Sequence, residues 1–360
     1  MVDFGNYKIF DNASIQTNIL VVKKDRVSDD YGFDLRKLSG NPTKETILAS
    51  LSRKSNQMIE YLYPKIVRSV FEDSFLTFSS NDKNKILKQM IVKANFHLEK
   101  SEITNGIHSH FDTINKKLSQ KSGFDIGEGI FVLTQTELET LSLTSKYNKL
   151  IMPYYVSDEV HRYYTNKENK NWIIYTNSKY KATDSLDEYP KLKKHLDKYK
   201  DVITSDNKPY GLHRARNEKF FTSEKIAVLR KSVKKPLFSY SDFDCYLSAT
   251  YNIISTERVN LKYLTGILNS TLIAFWLKNK GKMQGENYQL DNAPLLQLPL
   301  VIAETDFVSK ITSLVDVIIS ATKKNLKADT KDFELEIDNL VYQIYGLSTD
   351  EIKIVEEEMS

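Results

Sequence analysis

Apolar residues recur at two different periods along the chain, and the change of period divides it into regions. Where every third or fourth residue is apolar, one face of a helix is apolar and a helix is predicted. This helical spacing is found over residues 43–71, 81–96, 305–327 and 332–358. The first stretch is interpreted as a helix pair or one broken helix, the third as a long amphipathic helix and the last as a helical pair. Both flanks of the chain are therefore predicted to be mainly helical.

The centre of the chain, between residues 96 and 300, has a different texture. Short β-rich runs, such as 129–133 and 171–175, alternate there with Gly, Asn, Asp and Pro, which is typical of strands joined by turns. Helical spacing interrupts these runs at residues 135–141, 189–202 and 261–278. The pattern predicts an α+β fold in which strands dominate the centre.

The first residues form a region of their own. Two β-rich runs within residues 8–24 flank the turn residues Asp11 and Asn12, which predicts a β-hairpin. This apolar strand pair has no visible partner strands, so we expect it to dock onto a larger sheet. The changes of pattern predict four segments, namely a hairpin at 1–30, a helical connector at 31–96, a mixed α/β domain at 97–302 and a helical tail at 303–360.

Length and composition narrow the class of protein. With 360 residues, 41% hydrophobic and 27% charged, the chain exceeds what one core usually supports and is too apolar to be mainly disordered. Its single cysteine, Cys245, excludes an internal disulfide, fits a reducing compartment and is expected to be buried and inert. The sequence shows no signal-peptide pattern, and no apolar run reaches the ~20 residues of a membrane span. A cytoplasmic protein without a membrane partner is predicted.

Positive charge is concentrated in one part of the chain, although the net formal charge is only +4. Residues 191–236 contain 14 Lys and Arg against 5 Asp and Glu, whereas residues 331–360 contain 2 Lys against 9 acidic residues. Basic residues interleaved with aromatic ones are typical of a DNA-binding surface, because cations neutralise phosphates and flat rings pack against sugars and bases. For the lysines of 191–200, a solvated helix face is the alternative interpretation.

Two polar loops offer side chains suited to reading DNA. In the run PYGLHRAR at 209–216, a turn carries a histidine and two arginines, whose planar guanidinium groups can bind a guanine edge or a pair of phosphates. Alternatively, Arg214 and Arg216 form ion pairs that stabilise the fold and do not contact DNA. The second loop, 278–289, carries three amides of the kind that suits adenine edges, namely Gln284, Asn287 and Gln289.

Several kinds of site are disfavoured by the sequence. There is no GxGxxG or GxxxxGK(S/T) motif, so neither a dinucleotide site nor a nucleoside triphosphate site is predicted. His108 and His110 are the only two of the six histidines that lie close together in the sequence, with no third ligand nearby, which favours a surface turn over a metal site. No set of residues predicts catalysis.

Several runs match patterns of one family, most clearly SDNKPYGLHRAR at 205–216, LNS at 268–270 and GKMQG at 281–285, together with 127–134, 153–155, 161–164, 172–175, 189–195, 220–221 and 225–226. In these runs the chain resembles the target-recognition domain of type IIG restriction-modification enzymes and of the related TaqI-class adenine-N6 DNA methyltransferases. Residues 8–20 resemble the late β-hairpin of the family's methyltransferase domain, and 337–347 its C-terminal helical tail.

The resemblance implies an activity and a division of the chain. Enzymes of this family transfer a methyl group from S-adenosylmethionine to an adenine flipped out of the duplex, and the tyrosine of an Asn-Pro-Pro-Tyr motif stacks on that base. This chain contains no Asn-Pro-Pro-Tyr motif, no Gly-rich cofactor motif and no recognisable PD-(D/E)xK nuclease set. Residues 1–30 are therefore interpreted as a remnant of a methyltransferase sheet, and 97–302 as a target-recognition domain. S-adenosylmethionine is expected only in a complete enzyme, and no cofactor is predicted for this chain.

The leading hypothesis is a sequence-specific DNA recognition module of a type II restriction-modification system, with double-stranded DNA as its partner. One alternative is part of an active adenine-specific methyltransferase or restriction enzyme, completed by a separate catalytic polypeptide. Another is a protein-interaction scaffold that docks through the helix at 305–327. Under the leading hypothesis the expected phosphate contacts are Lys208, Lys219, Arg230 and Lys231, the residues expected at or near base edges are Tyr210, His213, Arg214, Arg216, Gln284 and Asn287, and Lys282 is expected to contact DNA beside them.

Overall fold

The computed structural model describes residues 1–5, 7–10, 12, 16–24, 30–67, 80–156 and 158–360. Helices and strands are mixed along this part of the chain, so the predicted α+β class is confirmed. The helices are α1 (Lys44–Leu51), α2 (Asn81–Lys93), α3 (Lys116–Ser122), α4 (Gln135–Thr140), α5 (Pro190–Lys198), α6 (Leu261–Asn269), α7 (Thr271–Lys280), α8 (Asn292–Leu296), α9 (Thr305–Lys324), α10 (Lys331–Tyr345) and α11 (Thr349–Met359). The strands are β1 (Val2–Asp3), β2 (Asn18–Ile19), β3 (Asp30–Gly32), β4 (Leu35–Leu38), β5 (Ile59–Leu62), β6 (Lys65–Val67), β7 (Ile103–Asn105), β8 (Val132–Thr134), β9 (Ile151–Tyr155), β10 (Tyr163–Tyr164), β11 (Asn171–Ile174), β12 (Lys225–Leu229), β13 (Lys231–Val233), β14 (Phe238–Ser241), β15 (Tyr246–Leu247), β16 (Tyr251–Ile254), β17 (Lys282–Gln284) and β18 (Asn287–Gln289).

A five-stranded sheet in the order β10-β14-β12-β16-β7 lies between two apolar cores. Successive residues of a strand point to opposite faces. In β12, Ile226 and Val228 belong to the core shared with the C-terminal helices, whereas Ala227 belongs to the core shared with the sheet β15-β9-β11-β8. Strand β12 is apolar on both faces because an apolar core covers each face of the sheet. This sheet is the platform on which the polar loops of the central region are mounted.

The predicted helix at 261–278 is two helices, α6 and α7, with a break at Ser270. Ser270 has extended backbone angles, and its hydroxyl accepts a hydrogen bond from the backbone N–H of Ile273, so it caps α7. The side chain of Asn269 accepts from the N–H of Phe238 at 3.2 Å and donates to its carbonyl at 2.8 Å. The break therefore joins the helix pair to strand β14.

The C-terminal helices agree with the predicted long helix and helical pair. The apolar stripe of α9, including Ile311, Val315 and Ile318, is buried in the core that α6 and α10 share. The scaffold hypothesis needs this stripe as a docking face, and it is wrong because the protein's own helices cover that face. None of the helices in the described residues is both long and apolar enough to cross a bilayer.

The first described residues form a separate sheet in the order β2-β1-β4-β5. An antiparallel strand pair is present there as predicted, with Val2 opposite Ile19. Its first strand lies at Val2–Asp3 and not within residues 8–10, which form a bend. Of the predicted turn residues, Asp11 lies outside the described residues. A small core with members such as Phe4, Leu38 and Ile59 supports this sheet.

Within residues 31–96, the prediction of a mainly helical connector is wrong for the described part. Helix α1 ends at Leu51, and Arg53 has a positive φ of 56° that cannot continue a right-handed helix. Residues 59–62 then form β5, whose Ile59 lies opposite Leu38 of β4 and is buried. Pairing with β4 overrides the helical spacing, as tertiary contacts often do with local preference. The boundaries of the four predicted segments stay predictions.

Candidate nucleic-acid interface

In the second predicted loop, residues 282–289 form the strands β17 and β18. These strands and β13 make up a small antiparallel sheet in the order β13-β18-β17. Directly opposed residues share a face of such a sheet, and so do residues two apart along a strand. Ser232 and Tyr288 are buried on one face. Two rows of opposed residues cross the other face, Lys231 with Gln289 and Lys282 in one row and Val233 with Asn287 and Gln284 in the other. The sheet therefore brings four of the predicted DNA-contacting residues onto one face.

The turn between β17 and β18 explains why the polar segment folds as a hairpin. It has two residues, Gly285 and Glu286, and Gly285 has a φ of +63°. Two-residue hairpin turns that match the twist of the strands need a positive φ at this position, which glycine adopts without strain. Buried Tyr288 packs into the core of the C-terminal helices and anchors the hairpin. Gln284 and Lys282 are left exposed.

Arg230 directly precedes β13 and is held in place by the protein itself. Its guanidinium donates to the Asp291 carboxylate at 2.8 and 3.2 Å and to the Ala249 carbonyl at 3.0 Å. These bonds occupy much of the donor capacity that a phosphate would need. Arg230 therefore positions the small sheet and adds positive charge beside it.

The loop of residues 205–216 is fixed by hydrogen bonds within itself. The Ser205 hydroxyl donates to the Gly211 carbonyl at 2.8 Å, and the Asn207 amide donates to the Leu212 carbonyl at 2.8 Å. A Cβ at Gly211 would lie 2.7 Å from the Cβ of Asn207, so this close approach requires glycine. The loop is thus a preformed platform.

Tyr210 is a correction to the predicted site. Its side chain is only 3% exposed, and its hydroxyl donates to Asp197 at 2.8 Å. Burial and this bond to a carboxylate raise the pKa of Tyr210. A ring held inside the loop cannot lie at a base edge, and Tyr210 instead ties the loop to α5.

The two arginines of the loop differ in their surroundings. Arg214 is 49% exposed and forms an ion pair of 3.3 Å with Asp206, which is itself exposed. An ion pair of this kind is worth little, so Arg214 stays available to a ligand. Arg216 is half-buried and donates to the Gly106 carbonyl at 3.2 Å. Burial lowers the pKa of Arg216, and the charges of Arg214 and Arg230 add to the effect.

The predicted lysines divide into exposed and paired groups. Lys208, Lys219 and Lys231 are exposed, and the ammonium of Lys219 lies 5.1 Å from the ring centre of Phe220. On α5, by contrast, Lys193 pairs with Asp187 and Lys198 with Glu128. These ion pairs favour the interpretation of α5 as a solvated helix face.

Sequence reasoning missed two residues beside the loop. His108 and His110 were interpreted as an isolated surface turn, but the ring centres of His108 and His213 lie 5.2 Å apart and those of His110 and His213 5.5 Å apart. The backbone pairs His108 with Arg214 through hydrogen bonds of 3.0 and 2.8 Å. Burial lowers the pKa of His108, with smaller contributions from His213 and His110. Within the described ranges, no group of three or more His, Cys, Asp or Glu side chains is placed to hold a metal ion.

Cys245 is buried, as predicted, and burial raises the pKa of its thiol to about 12. A thiol in this state is not nucleophilic at neutral pH.

Comparison with known proteins finds a matching domain family and similar solved structures. Residues 152–300 match the family model of the TaqI-like C-terminal specificity domain. Among solved structures, the type IIL restriction-modification enzyme MmeI in complex with DNA is similar, with a TM-score of 0.52 and 12% identity over 93% of this chain and 41% of that chain. The type IIG restriction endonuclease BpuSI matches with a TM-score of 0.40 and 14% identity over 89% of this chain and 40% of that one.

The present chain thus spans less than half the length of either enzyme. No curated protein matches it significantly in sequence. The likeness to MmeI concerns the fold, whereas the family match covers the five-stranded sheet's central strands, the loop of residues 205–216 and the small sheet. The resemblance noted from the sequence is confirmed over residues 152–300, which match the TaqI-like C-terminal specificity domain.

Proposed function

We propose that this chain is a sequence-specific DNA recognition module of a type II restriction-modification system. The observation that carries the proposal is that the specificity domain presents two basic, polar surfaces side by side. One is the loop of residues 205–216, and the other is the outer face of the small sheet β13-β18-β17. Arg230, which directly precedes that sheet, lies close enough to Arg216 of the loop for its charge to contribute to the lowered pKa of that guanidinium.

The residues on and beside these two surfaces suit two different tasks. Exposed lysines, Lys208, Lys219, Lys231 and Lys282, are proposed to bind phosphates and so to position the duplex. Arginine forks and amides are proposed to read bases, because arginine fits the guanine edge and Gln or Asn the adenine edge. The residues proposed for base reading are Arg214, Arg216, Gln284 and Asn287.

Binding-site selection tests this proposal. The full chain is incubated with a library of duplexes that carry a randomised segment, and the retained DNA is sequenced over several rounds. We expect one short site to be enriched and to bind roughly 1,000-fold or more tighter than unrelated duplexes at physiological salt. Equal retention of all sequences would contradict a recognition function.

Removal of one phosphate-binding lysine should change the salt dependence of DNA binding. For Lys231→Ala we expect the slope of log affinity against log salt to fall by about one, with similar loss for all sequences, because one fewer counterion is released. Lys310→Ala on α9, an exposed lysine outside both surfaces, is the matched control and should leave the slope unchanged. An unchanged slope in Lys231→Ala would remove this residue from the interface.

Catalysis is proposed to reside in a separate polypeptide that carries the S-adenosylmethionine site and the methyl-transferring motif. The complex of this polypeptide with the present chain is proposed to act in the cytoplasm. A place for such a partner is the edge strand β2, which has β1 as its one neighbour among the residues that the structure describes. The residues that follow it, Leu20, Val21 and Val22, are exposed although apolar. Exposed apolar residues at a sheet edge favour pairing with a further strand.

A further inference from the structure

Three imidazole rings from two distant segments meet beside the loop of residues 205–216. The histidine cluster consists of His108, His110 and His213, whose ring centres lie 5.2, 5.5 and 6.2 Å apart. His108 and His110 belong to the segment that follows β7, and His213 belongs to the loop. None of the three has another histidine of the cluster as a hydrogen-bond partner among the bonds described. Hydrogen bonds between the three histidines therefore do not account for their close approach.

The backbone holds these rings in place. His108 pairs with Arg214 across two backbone hydrogen bonds, which fixes the spacing between the two segments. His110 has a φ of +84°, and its Nε2 lies 2.6 Å from the Thr204 hydroxyl. A histidine in this backbone region is uncommon and is kept there by its surroundings. The rings therefore form a preformed site.

The charged groups around the cluster are two arginines and two carboxylates. Arg214 and Arg216 add positive charge on the loop side. The Asp206 carboxylate lies 3.7 Å from the Nδ1 of His213, but it is exposed and shared with Arg214. Burial raises the pKa of the Asp112 carboxyl, and the charge of this group acts on His108. Protonated imidazoles here would repel one another and both arginines, and a bound anion would offset that repulsion.

Two observations show room and unused bonding capacity for such an anion. The Nδ1 of His213 is buried and has no hydrogen-bond partner in the described structure. A cleft of about 420 Å³ opens at His108 and His110, and the acidic Asp112 and the hydroxyl-bearing Ser248 and Thr250 line it as well. A phosphate oxygen accepts hydrogen bonds only, and a protonated imidazole donates from both nitrogens. The chemistry of the site thus fits a phosphodiester group.

We propose that the histidine cluster binds a phosphate of the DNA backbone and takes up a proton when it does so, which makes DNA binding tighter as the pH falls. This inference rests on the proposed DNA-binding function. By linkage, affinity rises with falling pH wherever the complex holds more protons than the free partners. For one proton taken up, the steepest part of the profile is about tenfold per pH unit, and it falls within the range where histidine titrates.

The test measures the affinity of the full chain for a fluorescein-labelled duplex of random sequence. Fluorescence anisotropy is recorded between about pH 8 and about pH 6, the range of histidine titration, at constant ionic strength and with a chelator present. The wild-type protein is expected to bind roughly ten times more tightly at the lower pH. In His108→Gln/His213→Gln the dependence should shrink to about twofold or less, because glutamine keeps a polar side chain but does not titrate. Exposed His97, which lies outside the cluster, provides the control variant His97→Gln, which should keep the full dependence.

The outcomes separate the two proposals. Binding that is tight but equal at all pH values, or a double variant that keeps the wild-type profile, would overturn the histidine inference and leave the DNA-binding function standing. Absence of binding to any duplex would overturn both. If the double variant does not fold, the imidazole proton resonances of the wild-type protein decide instead. Inorganic phosphate, at an ionic strength matched with chloride, should move the titration of the cluster histidines and leave that of His97 unchanged, and unmoved resonances would contradict the site.

Discussion

The double variant Arg214→Ala/Arg216→Ala is expected to bind the preferred duplex roughly 30-fold or more weakly than the wild-type protein and to lose much of its sequence preference. A bidentate arginine contact to a guanine edge is worth about 1–3 kcal/mol of discrimination, and two such contacts at the low end correspond to about 30-fold. Arg214 is available because its only described ion pair is with exposed Asp206. Affinity is measured by fluorescence anisotropy on the selected site and on a scrambled duplex.

Two further variants separate readout from charge and from folding. Arg214→Lys keeps the positive charge but lacks the planar fork, so it should retain binding to unrelated DNA and lose preference for the selected site. Lys323→Ala/Lys324→Ala removes two exposed cations from the last turn of α9 and should leave both quantities unchanged. Arg216 also bonds the Gly106 carbonyl, so circular dichroism must first show that the double variant is folded. A folded double variant with wild-type affinity and preference would exclude the loop as the reading surface.

Elements that depend on local spacing could be predicted from the sequence. Helices α5, α9 and α10 lie where apolar residues recur at helical spacing, because each helix buries the stripe that the spacing defines. The strand of Asn171–Ile174 was likewise predicted from a short β-rich run bounded by turn residues. In these elements local preference and tertiary packing agree.

Elements that depend on pairing with distant residues were missed. Residues 59–62 have apolar positions at helical spacing, yet they form β5 because β4 offers an edge and a buried place for Ile59. Residues 282–289 were interpreted as a loop because only Met283 and Tyr288 interrupt the polar run. The glycine at position 285, which allows a two-residue turn, was the sequence feature that could have indicated a hairpin.

The site shows the same division. Residue types indicate which side chains could read DNA, but their exposure depends on the fold. Arg214 and Gln284 are exposed, whereas Tyr210 and Gln289 are buried. The histidine cluster joins positions about a hundred residues apart, and its closest sequence signal, His108 and His110 together, gives no hint of His213. Contacts of this kind are created by the pairing of β7 with β16 and of His108 with Arg214.

An ion pair between Glu102 and Arg258 lies directly before β7. The Glu102 carboxylate accepts hydrogen bonds from Arg258 at 2.7 and 2.6 Å and one from the Thr256 hydroxyl. Although burial opposes ionisation, these bonds hold the pKa of Glu102 at about 2, below the ordinary value of 4.5. Since β7 leads directly to Gly106 and His108, loss of this pair should loosen the segment that carries the histidine cluster.

Glu102→Gln is therefore expected to lower the free energy of unfolding by about 2 kcal/mol at neutral pH. The pKa difference corresponds to about 3 kcal/mol, and we discount it because the Arg258 side chain is 42% exposed to solvent. The Gln amide would also turn a donor toward the donors of Arg258. Because the folded-state pKa is depressed, this stability is present above about pH 4.5 and is lost as the pH falls toward 2.

Urea denaturation at neutral pH and at several acidic pH values tests this expectation. The difference in unfolding free energy between the wild-type protein and Glu102→Gln should be largest at neutral pH and should shrink as the pH falls below about 4.5. The matched control is Glu357→Gln, whose carboxylate forms only an exposed ion pair of 3.8 Å with Lys353 and should change stability by less than about 0.5 kcal/mol. A constant difference at all pH values would mean that the ionised form of Glu102 does not stabilise the fold, and that packing alone accounts for its burial.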